Sequence, residues 1–176
     1  MVMFKELVGG KGHALLAATP LPDMAAHGYA ENEYAVGGIV AGSTPDGPAA
    51  PAEFVTRMLV RRPIHDDDFN GTVVVEWLNV SSGNDAAPEY TYVAPEIVRG
   101  GYAWVGLSAQ YAGVAGAEGS VGVDSGPRGL AAKDPDRYGA LTHPGDAYCY
   151  DLFGAIGSIL KDPHADVGTS LHPLGG

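Results

Sequence analysis

GTVVVEWLNVSSG, residues 71–83, is an apolar strand that runs directly into a small, polar, glycine-ended turn. Val73, Val74 and Val75, then Trp77 and Leu78, leave neither face consistently polar, which predicts a strand covered on both sides, as central strands of parallel sheets are. In open α/β sheets ligands gather at the carboxyl ends of the strands. The turn Asn79-Val80-Ser81-Ser82-Gly83 is therefore the first candidate for a functional site.

A helix is expected next. Asn84 or Asp85 can cap it, Pro88 suits its first turn and Glu89 complements the amino-terminal dipole. Tyr90, Val93 and Ile97 fall at helical spacing, Arg99 sits in the last turn, and Gly100-Gly101 supplies a left-handed stop. YAWVGLSAQ, residues 102–110, reads as another strand of little polarity. Strand, helix and strand make a right-handed parallel βαβ crossover, which brings residues 79–83 and 108–111 to one rim.

Upstream, residues 1–28 read as an extended lead-in with at most a short helical turn near residues 21–27. EYAVGGIVAG, residues 33–42, is a strand ending in the turn-forming STPDGPAAP, and EFVTRMLVRR, residues 53–62, is the next strand, closed by Pro63. The latter alternates Phe54, Thr56, Met58 and Val60 against Val55, Arg57, Leu59 and Arg61, the half-covered pattern of a sheet edge or hairpin partner. His65-Asp66-Asp67-Asp68 follows as a charged, solvated turn, because adjacent carboxylates on a loop cannot converge on one metal ion.

Downstream, residues 113–129 carry glycine at almost every third position with no apolar period, the pattern of a loop that can act as a flap over the rim. Residues 134–139 form a turn. A second helix over about 145–160 has an apolar stripe of Cys149, Leu152, Phe153, Ile156 and Leu160, ended by Lys161-Asp162-Pro163, and the residues after it are loop-like.

The chain has 176 residues, enough for one domain with a real core. Hydrophobic residues at 45% and charged residues at 18% exclude wholesale disorder, while 26 Gly and 13 Pro imply long loops between short elements. A formal charge of −11 argues against a nucleic-acid partner or an anionic membrane surface. Cys149 is the only cysteine, so neither an internal disulfide nor a cysteine-based zinc site can form, and its place on the helix stripe gives it a core role. No segment approaches the ~20 apolar residues of a membrane span, and no leader-cleavage pattern is evident, so a cytoplasmic location is expected. Nothing in the pattern calls for a metal or cofactor; the 113–129 run does not open a helix and is no dinucleotide fingerprint.

An antiparallel pair followed by strand, turn, helix, strand, loop and helix is the order of the first half of an α/β-hydrolase. GTVVVEWLNVSSGNDAAPEY, GYAWVGLSAQ and DPDRYGALTHPGDAYCYDLF, with GYAENEY and TRMLVRRP before them, resemble the α/β-hydrolase domain family. The likeness covers residues 28–176. It implies a three-layer αβα sheet and nucleophilic acyl transfer, in which a serine on a strained strand-to-helix elbow attacks an ester or similar carbonyl. The family's triad runs serine, acid, histidine, with the elbow after the fifth strand. That strand would begin beyond Gly176, so residues 29–176 are expected to be a partial domain, inactive alone.

Gly106-Leu107-Ser108-Ala109-Gln110 is the nearest approach to G-x-S-x-G, yet Gln110 stands where the elbow needs glycine and a loop is expected after it. The run Gly168-Thr169-Ser170-Leu171-His172 fails the same test. What the resemblance does place here is the oxyanion hole, with a backbone N–H from the loop after the third strand. Val80 and Ser81 are the candidate donors, and Asn79, Ser82, Gln110, His143 and Asp146 are candidates for the pocket rim. Glu76, a carboxylate in an apolar strand, is either ion-paired to Arg57, Arg61 or Arg62 or an acid of raised pKa near the pocket. The expected partner is a small acyl substrate, with self-association through an unpaired edge of the last strand. A complete, non-catalytic binding module is the alternative.

Overall fold

The computed structural model describes residues 2–15, 20–122, 126–162 and 174. Among the described residues, five strands form one open sheet in the order β1-β2-β3-β5-β4. They are β1 Met3–Glu6, β2 Tyr29–Thr44, β3 Gly47–Pro63, β4 Val73–Trp77 and β5 Ala103–Leu107. β4 and β5 are parallel and the other pairs antiparallel. The helices are α1 Pro88–Gly100, α2 Tyr111–Ala115, α3 Leu130–Lys133, α4 Pro135–Tyr138 and α5 Cys149–Leu160.

Alternation along β3 feeds two layers at once, because successive strand side chains point to opposite faces. Phe54, Met58 and Val60 meet Leu152, Ile156 and Leu160 of α5 on one face. Leu59 meets Tyr90, Ala94 and Ile97 of α1 on the other, around Trp104. The sheet is thus of the expected α/β class, and the parallel β4-α1-β5 crossover is present.

Several expectations change at the sheet margins. β3 lies between β2 and β5, and Arg57 and Arg61, whose alternation suggested a wet face, are buried. β4 is the outermost strand instead of a central one: among the described residues it pairs with β5 alone, and Val73, Val74 and Val75 are half-buried. β5, buried along its whole length, holds the interior place. A five-residue apolar run suits either position, and only the pairing order separates them. The unpaired edge expected of the last strand therefore belongs to β4. Within the lead-in, Met3–Glu6 pairs with β2, a strand too short to show alternation, and the helical turn falls at Ala25–His27.

Pro88, Glu89 and Arg99 take their expected places in α1, and Gly101, at φ 69°, ends it. The expected cap by Asn84 or Asp85 is not made; Ala87 stands at the cap position without a side-chain bond, and Asn84 and Asp85 are buried. α2 begins at Tyr111, immediately after Gln110, where a loop was expected. Residues 134–139 tighten into α4, whose Arg137 N–H donates to Asp134. Asp134 also accepts from Lys11 and Gly12 N–H, and these bonds, Gly12's foremost, hold its carboxyl below the usual range. α5 begins at Cys149 after a 3₁₀ turn at Asp146–Tyr148. The tail after Asp162, including residues 168–172, lies outside the described residues except for residue 174.

Candidate active site

The rim at the carboxyl ends of β4 and β5 is built from two backbone turns. Leu78 N–H extends the ladder to Leu107 C=O at 3.1 Å. Beyond it, Asn79 and Ala86 exchange both backbone bonds, at 2.9 and 2.8 Å, and close the intervening residues into a compact loop. Inside the loop Gly83 N–H donates to Val80 C=O at 2.8 Å, and Ser81 N–H donates to Asn79 Oδ1 at 2.9 Å. Among the described residues no acceptor meets Val80 N–H, so of the two candidate donors Val80 is unengaged and Ser81 is held. Ser82 is buried, its hydroxyl donating to Asn84 C=O at 3.2 Å, and so braces the loop from inside. Part of the glycine-spaced run lies over this loop: Val121 N–H donates to Ser81 C=O at 3.1 Å.

On the β5 side, Trp77 Nε1–H donates to Gln110 Oε1 at 3.0 Å, which ties the two strand ends together. Tyr111 N–H donates to Asp146 Oδ1 at 2.8 Å, so Asp146 serves the start of α2. His143 Nδ1 accepts from Gly145 N–H at 3.1 Å, which leaves Nε2–H to donate to Ala109 C=O at 3.0 Å. Burial lowers the His143 pKa from its usual value. With both nitrogens engaged, His143 is a brace for the β5 turn and has no free position for a proton-transfer role. Gln110, Asp146 and His143 thus gather around one strand end, and Asn79 joins them across Trp77.

Under the rim lies a buried ionic network that the sequence reading missed. Arg57 is fully buried and pairs with Glu33 at 3.1 Å and Asp85 at 2.9 Å. Burial opposes its charge, but the two carboxylates outweigh it and raise its pKa. Glu33 also accepts from Tyr138 and from Arg137 Nε, the latter at 2.6 Å. Burial, with Glu33 next, pushes the Tyr138 hydroxyl up to about 12. Asp85 Oδ2 accepts the Ser108 hydroxyl, which also receives Arg57 Nε at 3.3 Å. The turn after β4 and the turn after β5 are therefore bolted to one cation. The available signal was the charge of Glu31 and Glu33 on one strand and of Arg57 and Arg61 on its neighbour, each pair at even spacing and so on one face.

Two further residues resolve from this geometry. Ser108 has no solvent-exposed surface, and its hydroxyl and carbonyl are both engaged, so it offers no accessible nucleophile even though α2 begins at Tyr111. Glu76 forms none of the expected ion pairs: Arg61 pairs with Glu31 and Arg62 with Asp66. It instead accepts from Glu89 N–H, Tyr90 N–H and Trp104 Nε1–H, and burial, then the Glu89 carboxyl, raises it to about 7.

A mixed sheet with a parallel β4-α1-β5 crossover is what the resemblance implies, and the family model for the alpha/beta hydrolase domain matches residues 5–176. The chain belongs to that family. Comparison with curated proteins and with solved structures gave no match. In this α/β-hydrolase domain, the described residues contain no group of three His, Cys, Asp or Glu placed to hold a metal ion. They also contain no helix long and apolar enough to cross a membrane.

Proposed function

We propose that this α/β-hydrolase domain is the amino-terminal portion of a serine-type hydrolase of esters or related acyl substrates. In this reading it supplies the oxyanion turn, and the nucleophile, acid and histidine come from chain beyond Gly176. The observation that carries the reading is the Val80 N–H, which meets no acceptor among the described residues and is held in a braced loop at the carboxyl end of a parallel strand. Such an N–H aimed at developing negative charge contributes a few kcal/mol to acyl transfer, because the dipole is already oriented when the charge appears. Asn79, Gln110 and the flanking residues of the rim would shape the substrate's approach.

The position of β4 agrees with this reading. Its open edge borders a cleft of about 380 Å³ lined by Val73, Val75, Gly157, Leu160 and Lys161, space in which a further parallel strand would pair and pack. That strand would carry the nucleophile elbow beside the Val80 turn.

The test is the gene beyond the Gly176 codon. An in-frame continuation with an apolar strand and a G-x-S-x-G-like elbow, whose full-length product hydrolyses an activated ester such as p-nitrophenyl acetate, is the expected result. A stop codon there, with a folded chain that binds ligand without turnover, would overturn the reading in favour of a non-catalytic module.

A further inference from the structure

Val74, Glu76 and Leu78 point to the α1 side of the sheet, and Val74 and Leu78 pack in its apolar core. A lone carboxylate there would cost several kcal/mol, so its partners define its role. Glu76 Oε1 accepts from Glu89 N–H at 3.2 Å, and Oε2 from Tyr90 N–H and Trp104 Nε1–H, each at 2.9 Å. Glu89 and Tyr90 are the second and third residues of α1, whose own cap residue makes no side-chain bond. The helix is thus capped by a side chain 13 residues upstream. Residues 77–88, including the whole turn after β4, are enclosed between the strand that carries Glu76 and the amides it holds.

We propose that Glu76 is the positioning residue of the oxyanion turn, a clamp that fixes the loop's exit to its entrance and to β5. This rests on the hydrolase reading above for the purpose of the turn, though not for the existence of the clamp. Every element packed around the carboxyl contributes. α1 brings the exposed Glu89 carboxyl, which helps raise the pKa of Glu76, and Tyr90, whose ring lies 4.5 Å from that of Trp104. From β5, Trp104 gives its indole N–H. From β3, Arg61 stacks at 4.3 Å over Tyr90 and 5.1 Å over Trp104, with its charge paired to Glu31 of β2 at 2.7 Å. Protonation of Glu76 removes the charge that draws the two amides and the indole N–H, so these bonds weaken as the carboxyl takes up a proton. With Glu76 raised to about 7, that change falls near neutral pH.

The experiment is NMR on the 176-residue chain. The Trp104 indole and Tyr90 amide signals should move together with a midpoint near pH 7, with the second indole identified by Trp77→Phe. In Glu76→Gln that transition should vanish, and exchange of the Asn79 and Ala86 amides that close the turn should speed up about tenfold while the β2–β3 amides keep their protection. Glu89→Gln should lower the midpoint toward the ordinary carboxylate range, a readout that stands even if Glu76→Gln does not fold. A wild-type Trp104 indole that does not titrate, or turn amides no faster in a folded Glu76→Gln, would overturn the clamp. None of these signals needs turnover. An intact clamp in a full-length protein without esterase activity would remove the hydrolase reading alone.

Discussion

Replacing Glu76 by Gln should tilt the pH dependence of stability, because a buried carboxyl and a half-buried imidazole with opposed shifts nearly cancel in the native protein. Glu76 rises from 4.5 to about 7, through burial first and the Glu89 carboxyl next. Between those values the folded chain binds more protons than the unfolded chain, so stability falls as pH rises through the window, by about 3 kcal/mol in all. His13 falls from 6.5 to about 4, through burial first, then the Lys133 and Arg57 charges. Its Nε2 is buried without a partner among the described residues. Here the unfolded chain binds more protons, so stability rises as pH climbs from about 4 to 6.5, by about 2–3 kcal/mol after allowance for the ring's partial exposure. His143, also lowered by burial, adds to that rise.

The wild-type profile should therefore be nearly flat between pH 4.5 and 6.5. Glu76→Gln leaves the histidine contribution alone and should gain about 2–3 kcal/mol over the same interval. His13→Asn leaves mainly the Glu76 contribution and should decline. Urea melts at half-unit pH steps, extrapolated with a common slope, measure this directly. A Glu76→Gln profile that runs parallel to wild type would refute the reasoning, whatever its absolute level.

Arg57→Met should cost about 3–5 kcal/mol by urea melt, because it leaves Glu33 and Asp85 buried without their shared cation. A loss under about 1 kcal/mol would show that water replaces the guanidinium. Ser108→Ala should cost only about 1–2 kcal/mol, since Asp85 keeps Arg57, and should leave any esterase activity of the full-length protein unchanged. The open edge of β4 predicts concentration-dependent association of the 176-residue chain in sedimentation velocity, weakened by Val73→Lys. A monomer at all concentrations would count against a usable edge.

The parts legible in the sequence were those carried by local pattern. The β2–β3 hairpin follows from two alternating runs around a turn-rich stretch, the crossover from residues 73–107, and α5 from its stripe at Cys149, Leu152 and Ile156. Longer-range features were not legible. The outer position of β4 depends on which strand β5 chooses as neighbour. The Arg57 network joins Glu33, Asp85, Ser108 and Tyr138 from four separate segments, with no local spacing to betray it. Asp85 read naturally as a cap because its residue type favours caps, yet a buried arginine draws it inward and leaves the capping to Glu76. At the rim, the sequence named Asn79, Gln110, His143 and Asp146 as neighbours but not as braces, because only geometry reveals that both nitrogens of His143 are engaged.

The central claim is that this domain presents an oxyanion turn to a serine it does not itself contain. Labelling with a fluorophosphonate, followed by peptide mapping, tests it most directly on the full-length gene product and the 176-residue chain side by side. The account predicts a single labelled serine beyond Gly176 in the full-length protein, with labelling reduced when the turn is distorted by Val80→Pro, and no label on the shorter chain. Label on Ser108, or a folded full-length protein that takes up none, would contradict it.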